Sequence, residues 1–167
     1  DPTFNFNLVI TDVDYQDNFD SVSYSNNDGS ANWANNWQEV DGLNGVVGTD
    51  PANGFGPSIG NVTINSSRLS LTTNPTTDGA GIDPSVTRDF DLSLFNANQT
   101  TFLDFDYSYA SLNLADSVVV EVSDDGGSNW VQATNLTGLQ NTNGSPTNVN
   151  ISLNSLGGAL DDFNTTL

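Results

Sequence analysis

Histidine, cysteine, lysine and methionine are all missing from this chain of 167 residues. Without histidine or cysteine, neither a Ser-His-Asp nor a Cys-His catalytic site can be built, and the usual zinc and copper ligands are missing. A lysine nucleophile is excluded in the same way. Disulfide bonds are excluded too, so no disulfide framework can hold the fold together.

Positive charge is almost as scarce. Arg68 and Arg88 are the two cationic residues, and they face 21 Asp and Glu residues, which gives a formal net charge of −19. Such a chain repels nucleic acid and anionic membranes, which excludes both as partners. High external salt or bound divalent cations must offset its self-repulsion, and both point to a place outside a cell. Nine Phe, four Tyr and three Trp argue against an acidic disordered chain.

Long hydrophobic runs are missing as well. No apolar run approaches the roughly 20 residues that a membrane helix needs, so we expect no membrane insertion. The length is that of one domain, residues 1–167. Because the chain begins with Asp1-Pro2 and carries neither an initiator Met nor a signal peptide, we expect a monomeric module of a longer protein.

Apolar and polar residues alternate in many short segments, and no segment keeps a helical period over ten residues. The predicted strands are 4–10, 37–40, 61–64, 68–72, 86–92, 101–109 and 148–153. Residues 21–36 and 41–60 are predicted loops, and Asn65-Ser-Ser67 is a predicted turn between two of the strands. Residues 154–162 have room for one short helical turn. Many short strands between Gly, Asn and Asp turns predict an all-β fold, an antiparallel β-sandwich of the jelly-roll type.

The most specific local pattern spans residues 117–133. A β-branched strand (117–122) leads into a run of turn formers (123–129), and Trp130 begins a second apolar segment. Together they predict a β-hairpin. The turn also fits the Asp-box pattern Ser-x-Asp-x-Gly-x-x-Trp, as Ser123, Asp125, Gly127 and Trp130. One copy is a structural signal, since a propeller enzyme would need several.

Six motifs follow one another between residues 17 and 131: Asn18-Phe-Asp20, Ala31-Asn-Trp33, Trp37-Gln-Glu39, Arg88-Asp-Phe-Asp-Leu92, Phe105-Asp-Tyr107 and Asp116-x-Val-x-Val-Glu-Val-Ser-x-Asp-Gly-Gly127. Their order resembles that of the jelly-roll modules in large secreted and cell-surface proteins of marine bacteria, including calcium-dependent RTX-type adhesins. The resemblance implies an extracellular module at the bacterial cell surface that binds a peptide or a glycan on another cell, as in adhesion and biofilm formation. Similar modules also accompany secreted hydrolases.

Calcium is the expected cofactor, because Ca²⁺ takes six to eight oxygen ligands and this chain is rich in carboxylates and Asn side chains. The first candidate cluster is Asp12, Asp14, Asp17 and Asp20. The resemblance implies that an acid on a later strand shares such a site, and Asp116 is the candidate. Further candidates are Asp124 with Asp125, Asp50 with Asp41, and Asp78 with Asp83. The alternative is that these are solubilising acids of a salt-adapted surface.

Aromatic side chains in polar loops are the candidates for ligand recognition, since a ring can stack on a sugar or pack on a peptide side chain. The candidate ligand-binding residues are Trp33, Trp37, Phe55, Asp41, Asp78 and Arg88. The alternatives are that the tryptophans belong to the core and that Arg88 pairs with a carboxylate of the fold. A carboxylate pair of the glycosidase kind would use Glu39 and Glu121, but nothing singles them out, so we expect no enzyme.

The sequence therefore predicts a calcium-dependent ligand-binding module of a bacterial surface adhesin. Two alternatives stay open. One is a carbohydrate-binding module of a secreted hydrolase, and the other is a structural spacer without a ligand.

Overall fold

The computed structural model describes residues 13–40, 47–49, 56–72, 84–91, 100–109, 116–137 and 144–156. Those ranges contain nine strands: β1 (Gln38–Val40), β2 (Val47–Thr49), β3 (Val62–Asn65), β4 (Arg68–Leu71), β5 (Ser85–Thr87), β6 (Phe102–Tyr107), β7 (Ser117–Val122), β8 (Val131–Thr137) and β9 (Thr147–Ser152). A 3₁₀ helix, Leu153–Ser155, follows β9. All the strand pairs are antiparallel, which confirms the prediction of an all-β chain. No helix within the described ranges is long and apolar enough to cross a membrane.

Two compact units divide the chain, Asp1–Asp91 and Leu92–Leu167. Strands β1–β5 belong to the first unit, and β6–β9 with the 3₁₀ helix belong to the second. The predicted strand at 4–10 lies outside the described residues.

Strand β1 is the middle strand of a three-stranded sheet in the first unit, between β2 and β5. Glu39 pairs with Gly48 on one side and with Val86 on the other. Strand β2 lies inside residues 41–60, so the prediction of a loop is wrong at 47–49. The strand depends on pairing with β1, and the local Gly-rich sequence gives no sign of that partner.

The core of the first unit is small and contains a polar pair. Tyr24, Val62 and Ile64 are buried. The side chains that pack against them are Phe19, Trp37, Leu69 and Val86. The Tyr24 hydroxyl donates to Glu39 and also lies 3.0 Å from the Val62 carbonyl oxygen. Glu39 is only 1 % exposed, so this hydroxyl satisfies part of a carboxyl group that has been removed from water.

Strands β3 and β4 form a hairpin around Ser66-Ser67, as the sequence predicts. The register runs from Val62↔Leu71 to Asn65↔Arg68. Ser66 and Ser67 have φ angles of 50° and 57°, the left-handed values that a two-residue type I′ turn requires. A side chain with a Cβ disfavours that region, so the strand pairing holds the turn in a strained conformation.

The predicted strand 86–92 is wrong at 88–91, because β5 ends at Thr87, and residue 92 lies outside the described ranges. Asp89 shows why, because its backbone bonds to a loop and not to a neighbouring strand. Its N–H donates to the Asn35 side-chain oxygen (2.9 Å), and its carbonyl oxygen accepts from the Ala34 N–H (3.0 Å). The segment 88–91 is therefore attached to the loop that precedes β1.

Strands β6 and β9 of the second unit pair along their full length, from Phe102↔Ser152 to Tyr107↔Thr147. Exposed and half-buried side chains alternate along β6, which confirms the predicted strand for 102–107, whereas 101, 108 and 109 lie outside it. On the exposed face, the Asn148 amide donates to Asp104 and to Asp106, at 3.0 Å each. The predicted strand 148–153 corresponds to β9, and the predicted helical turn is the short 3₁₀ helix that begins one residue earlier than expected.

Strands β7 and β8 form the hairpin predicted for 117–133. Val120 pairs with Thr134 and Glu121 pairs with Gln132, so Ala133 is the additional residue of a β-bulge. These two-stranded pairs and the three-stranded sheet establish the all-β class.

Candidate ligand-binding site

Arg88 is the centre of a polar and aromatic cluster in the first unit. Its guanidinium donates from Nη1 to Asp17 Oδ2 (2.7 Å), from Nη2 to the Asn26 carbonyl oxygen (2.6 Å) and from Nε to the Asn35 carbonyl oxygen (3.0 Å). The side chains of Arg88 and Asp17 are each 2 % exposed. Burial lowers the pKa of Arg88, and the carboxylates of Asp17 and Asp28 counteract that shift. The guanidinium stays charged, because arginine does not lose its proton in proteins.

Asp17 is bonded through both carboxylate oxygens. Oδ1 accepts from the Phe19 N–H (2.9 Å), and Oδ2 accepts from Trp37 Nε1 (2.9 Å) as well as from Arg88. Of the two alternatives for Arg88, the structure shows the pair within the fold. The contacts of Asp17 are those of a buried structural residue, and they do not support the predicted role as a calcium ligand.

Two indole rings flank the guanidinium. Arg88 Cζ lies 4.6 Å from the centroid of the Trp33 ring and 5.5 Å from that of Trp37. Cations are attracted to the negative face of an aromatic ring, and the attraction is larger where water is excluded. The cluster therefore stabilises its buried cation with one carboxylate and two indoles.

The Trp33 ring is fixed in its orientation. Its Nε1 donates to the Gln16 carbonyl oxygen (3.1 Å), and the Tyr15 and Phe90 rings lie 5.5 and 5.9 Å away, centroid to centroid. The Tyr15 hydroxyl in turn donates to the Asp91 carbonyl oxygen (2.6 Å). One ring face is taken by Arg88, so Trp33 can offer a ligand its remaining surface only.

Residues 14–18 run beside residues 28–31 and support the loop that contains Trp33. The Ala31 N–H donates to the Asp14 carbonyl oxygen (3.0 Å). Asp14 and Ser30 are joined twice, from the Asp14 N–H to Ser30 Oγ (2.9 Å) and from the Ser30 N–H to Asp14 Oδ1 (3.1 Å). Hydrogen bonding with the Ser30 side chain and then with its backbone lowers the pKa of Asp14. Asp14 is thus hydrogen-bonded to the neighbouring loop at Ser30, as Asp17 is hydrogen-bonded to Arg88 and Trp37.

Gly29 allows this close approach of two backbones. A Cβ atom at Gly29 would lie 2.4 Å from the Asp14 carbonyl oxygen and 2.7 Å from the Gln16 nitrogen. Next to it, the Asp28 N–H donates to the Gln16 carbonyl oxygen (2.9 Å). No other residue type fits here without moving one of the two segments.

An open pocket of about 260 Å³ lies on the cluster. Its lining residues are Ser25, Asn27, Asn32, Trp33, Ala34, Asn35, Asn36 and Arg88. The Asn27 side-chain amide donates to the Asn32 side-chain oxygen, so two of the lining amides are already oriented. Every Asn offers both a donor and an acceptor. A concave surface with several convergent polar groups and one indole is the kind of place where ligands bind.

The predicted ligand-binding residues divide into three groups. Trp33 and Arg88 line the pocket. Trp37 packs against the buried core and is not among the lining residues. For Trp37 the alternative of a core residue is therefore the one that the structure supports. The remaining candidates, Phe55, Asp41 and Asp78, lie outside the described residues.

The remaining calcium candidates do not come together in the described ranges. Asp20 and Asp116 are exposed and Asp124 is half-buried, whereas five candidates lie outside those ranges: Asp12, Asp41, Asp50, Asp78 and Asp83. Among the residues that the structure describes, no group of three or more acids could hold a metal ion. Asp12 belongs to the first candidate cluster and lies outside the described ranges, so that cluster cannot be judged as a whole. Calcium binding therefore stays a prediction.

Asp125, the last calcium candidate, is bonded within the turn between β7 and β8. Oδ1 accepts from the Asn129 N–H (2.8 Å) and from Ser123 Oγ (2.8 Å), and Oδ2 accepts from Asn129 Nδ2 (2.6 Å). The Asn129 backbone, its side chain and then Ser123 lower the pKa of Asp125 to about 2. A Cβ on Gly127 would lie 3.2 Å from the Trp130 indole, so the ring lies over the glycine. This is the structural role that the Asp-box pattern predicts.

The glycosidase alternative gains no support from its two acids. Glu39 is 1 % exposed and bonded to Tyr24 in the core of the first unit. Glu121 is an exposed residue of β7 in the second unit. A general acid must reach the substrate, and Glu39 is closed off from solvent.

The amide side chains of the pocket were missed by sequence reasoning. Five of the eleven residues 26–36 are Asn, and that density was the available signal. Asn is also an ordinary loop residue, so composition could not separate a binding surface from a solvated loop.

Comparisons of the chain with protein-family models, with curated proteins and with solved structures found no match in any of the three. The resemblance to adhesin modules therefore rests on the motif order of residues 17–131 alone, and it stays a prediction. The described geometry itself has to carry a functional proposal.

Proposed function

We propose that this chain is a non-enzymatic, extracellular ligand-binding module, a β-sandwich of the jelly-roll type, that binds a glycan or a peptide for a bacterial surface adhesin. Four features support the proposal: the antiparallel sheets, the net charge of −19, the motif order and the pocket beside Trp33. A carbohydrate-binding module of a secreted hydrolase would use the same pocket in a different parent protein.

The pocket is the observation that carries the proposal. A structural spacer has no use for an open concave surface lined by four Asn side chains. Asn side chains are common in solvent-exposed loops, but here four Asn residues line the same pocket as Trp33 and Arg88. Binding sites characteristically combine a few placed polar groups with an aromatic surface.

The pocket is also prepared for binding before any ligand arrives. Arg88 is fixed by three hydrogen bonds and Trp33 by its bond to Gln16. Groups that are already immobile lose little conformational entropy when a ligand binds, so more of each contact is retained as affinity. This rigidity favours recognition over a purely mechanical role.

Calcium remains part of the proposal through the charge of the whole chain. With two cations against 21 acids, bound Ca²⁺ would reduce self-repulsion. Thermal unfolding with calcium and after chelation, at matched ionic strength, tests this point. Saturation at 1,000 times the dissociation constant adds about 4 kcal/mol per site. An unchanged melting temperature would contradict calcium binding and leave the proposal for the pocket intact.

The test of ligand binding uses the whole chain on a glycan array and a peptide library in parallel, with calcium present. We expect a ligand from one of the two, and Asn32→Ala and Asn36→Ala to weaken its binding. Asn135→Ala removes the same amide from an exposed position of β8, outside the pocket, and should leave binding unchanged. Binding that none of the three variants changes would refute the pocket as the site.

A further inference from the structure

Resting on the proposed function, we infer that the pocket binds one ring of an uncharged saccharide and discriminates against sugars that carry a carboxylate. The pocket size, the chemistry of its lining and the charge that surrounds it lead together to this conclusion.

The volume suits a single small ring. The open pocket of about 260 Å³ lies below the roughly 300–1,000 Å³ of sites for drug-sized ligands. A concave surface of this size accommodates one hexose ring.

The lining matches hydroxyl groups. A sugar hydroxyl both donates and accepts a hydrogen bond, and the side chains of Asn27, Asn32 and Asn36 do the same. Ser25 adds a hydroxyl, which lies in the exposed part of the loop. Trp33 supplies the apolar surface against which the C–H groups of a sugar ring can pack.

The one cation in the lining is already neutralised. Arg88 pairs with Asp17 at 2.7 Å, and two more of its donors are used by the carbonyl oxygens of Asn26 and Asn35. Asp28 also acts on the guanidinium through its charge. A ligand carboxylate would therefore have to compete with Asp17 for a cation that is already bonded.

The surroundings repel anions further. Asp89 lies against the pocket wall, because one of its carboxylate oxygens accepts from the Asn35 amide (2.6 Å). Asp28 follows Asn27 in the chain, and the whole chain has a formal charge of −19. Like charges brought together on binding are costly, whereas an uncharged hydroxyl group carries no net charge to be repelled.

Titration of the ¹⁵N-labelled whole chain with matched sugars tests the inference. D-glucose and D-galactose are compared with D-glucuronate and D-galacturonate, which keep the ring and carry a carboxylate at C6 in place of the hydroxymethyl group. We expect the neutral sugars to shift the Trp33 indole and Asn32 amide signals. The uronates should bind at least about tenfold more weakly at low salt, with the gap narrowing as salt screens the repulsion.

A charge variant sharpens the test. Asp28→Asn removes one carboxylate beside the pocket and should strengthen glucuronate binding several-fold while leaving glucose unchanged. Asp106→Asn makes the same charge change on the exposed face of β6 and should alter neither.

The outcomes separate the two proposals. Uronates that bind as tightly as neutral sugars would overturn the inference, since Arg88 would then act as an anion anchor. Binding of a peptide at the pocket, with no shift from any sugar, would overturn the inference and leave the proposed function standing. No shift at the pocket from sugars or from the peptide library would overturn both.

Discussion

Asp17 and Asp125 both use two carboxylate oxygens as acceptors, but their partners come from very different places. Asp125 is exposed, and its donors lie within four residues along the chain. The Asp17 side chain is 2 % exposed, and its guanidinium partner lies 71 residues further on. Asp125 stabilises a turn, and Asp17 stabilises a long-range contact between two distant segments of the first unit.

The two settings have different energetic weight. An exposed carboxylate whose bonds break can still be solvated by water, so the cost of losing a partner is small. A buried charge that loses its partner cannot recover hydration, and the cost rises to about 3–5 kcal/mol. The first unit therefore depends on a single long-range contact in a way that the turn of the second unit does not.

The largest effect is expected from the two arginines. Arg88→Met leaves Asp17 charged and buried, and should cost about 3–5 kcal/mol of unfolding free energy. Arg68→Met makes the same charge change at an exposed position of β4 and should stay within about 0.5 kcal/mol. Urea unfolding followed by circular dichroism measures both variants.

Equal losses in these two variants would show that net charge, and not the buried pair, controls stability. If Arg88→Met does not fold, Arg88→Met combined with Asp17→Leu decides the question. Removing a whole buried pair is often tolerated, so this double variant should regain part of the loss.

The next effect separates steric from conformational cost at two glycines. Gly29→Ala places a Cβ 2.4 Å from the Asp14 carbonyl oxygen, and overpacking of this kind costs about 1–3 kcal/mol. Gly126→Ala meets nothing within 4 Å, but its φ of 70° costs about 1 kcal/mol. Gly29→Ala should therefore lower the unfolding free energy more than Gly126→Ala does.

The Gly29 change should also reach the pocket, since it separates residues 14–18 from the loop that carries Asn27 and Trp33. Backbone shifts around the pocket in an ¹⁵N spectrum are the second measurement. A Gly29 variant that is no less stable than the Gly126 variant would mean that the two segments are not held together.

A smaller, stabilising effect is expected at the β3–β4 turn. Ser66→Asn with Ser67→Gly gives the Asn-Gly pair that type I′ turns prefer, and should relieve about 1–2 kcal/mol of left-handed strain. Ser67→Ala keeps a Cβ at φ 57° and is the matched control, with no gain expected. Thermal unfolding of the three proteins measures the difference. If the Asn-Gly variant were no more stable than the starting protein, the turn would not be strained.

Sequence reasoning succeeded where the determining partners are local. The β7–β8 hairpin, the alternation of β6 and the Ser66-Ser67 turn follow from residues a few positions apart. It did not identify β2, which requires β1, nor the Asp17–Arg88 pair, which joins two motifs far apart in the chain. Among 21 acids, composition cannot say which one meets an arginine, because that choice is made by tertiary packing.

The smallest effect is expected at Asp125, the acid whose hydrogen-bond partners lie close in the chain. Donors around Asp125 favour its charged form, so its pKa falls from the usual 3.8 to about 2. Its contribution to stability is present above pH 3.8 and is lost as the pH falls through about 2. Side-chain carboxyl ¹³C shifts should show Asp125 still charged at pH 3, where ordinary acids already titrate. Asn129→Ala keeps the backbone donor and loses the amide, so the pKa should rise partway. Ser30→Ala should raise the pKa of Asp14 and leave that of Asp125 unchanged. A pKa near 3.8 for Asp125 in the unaltered chain would show that the turn forms without hydrogen bonds to its carboxylate. Asp125 and Asp17 would then differ in more than the distance along the chain to their partners.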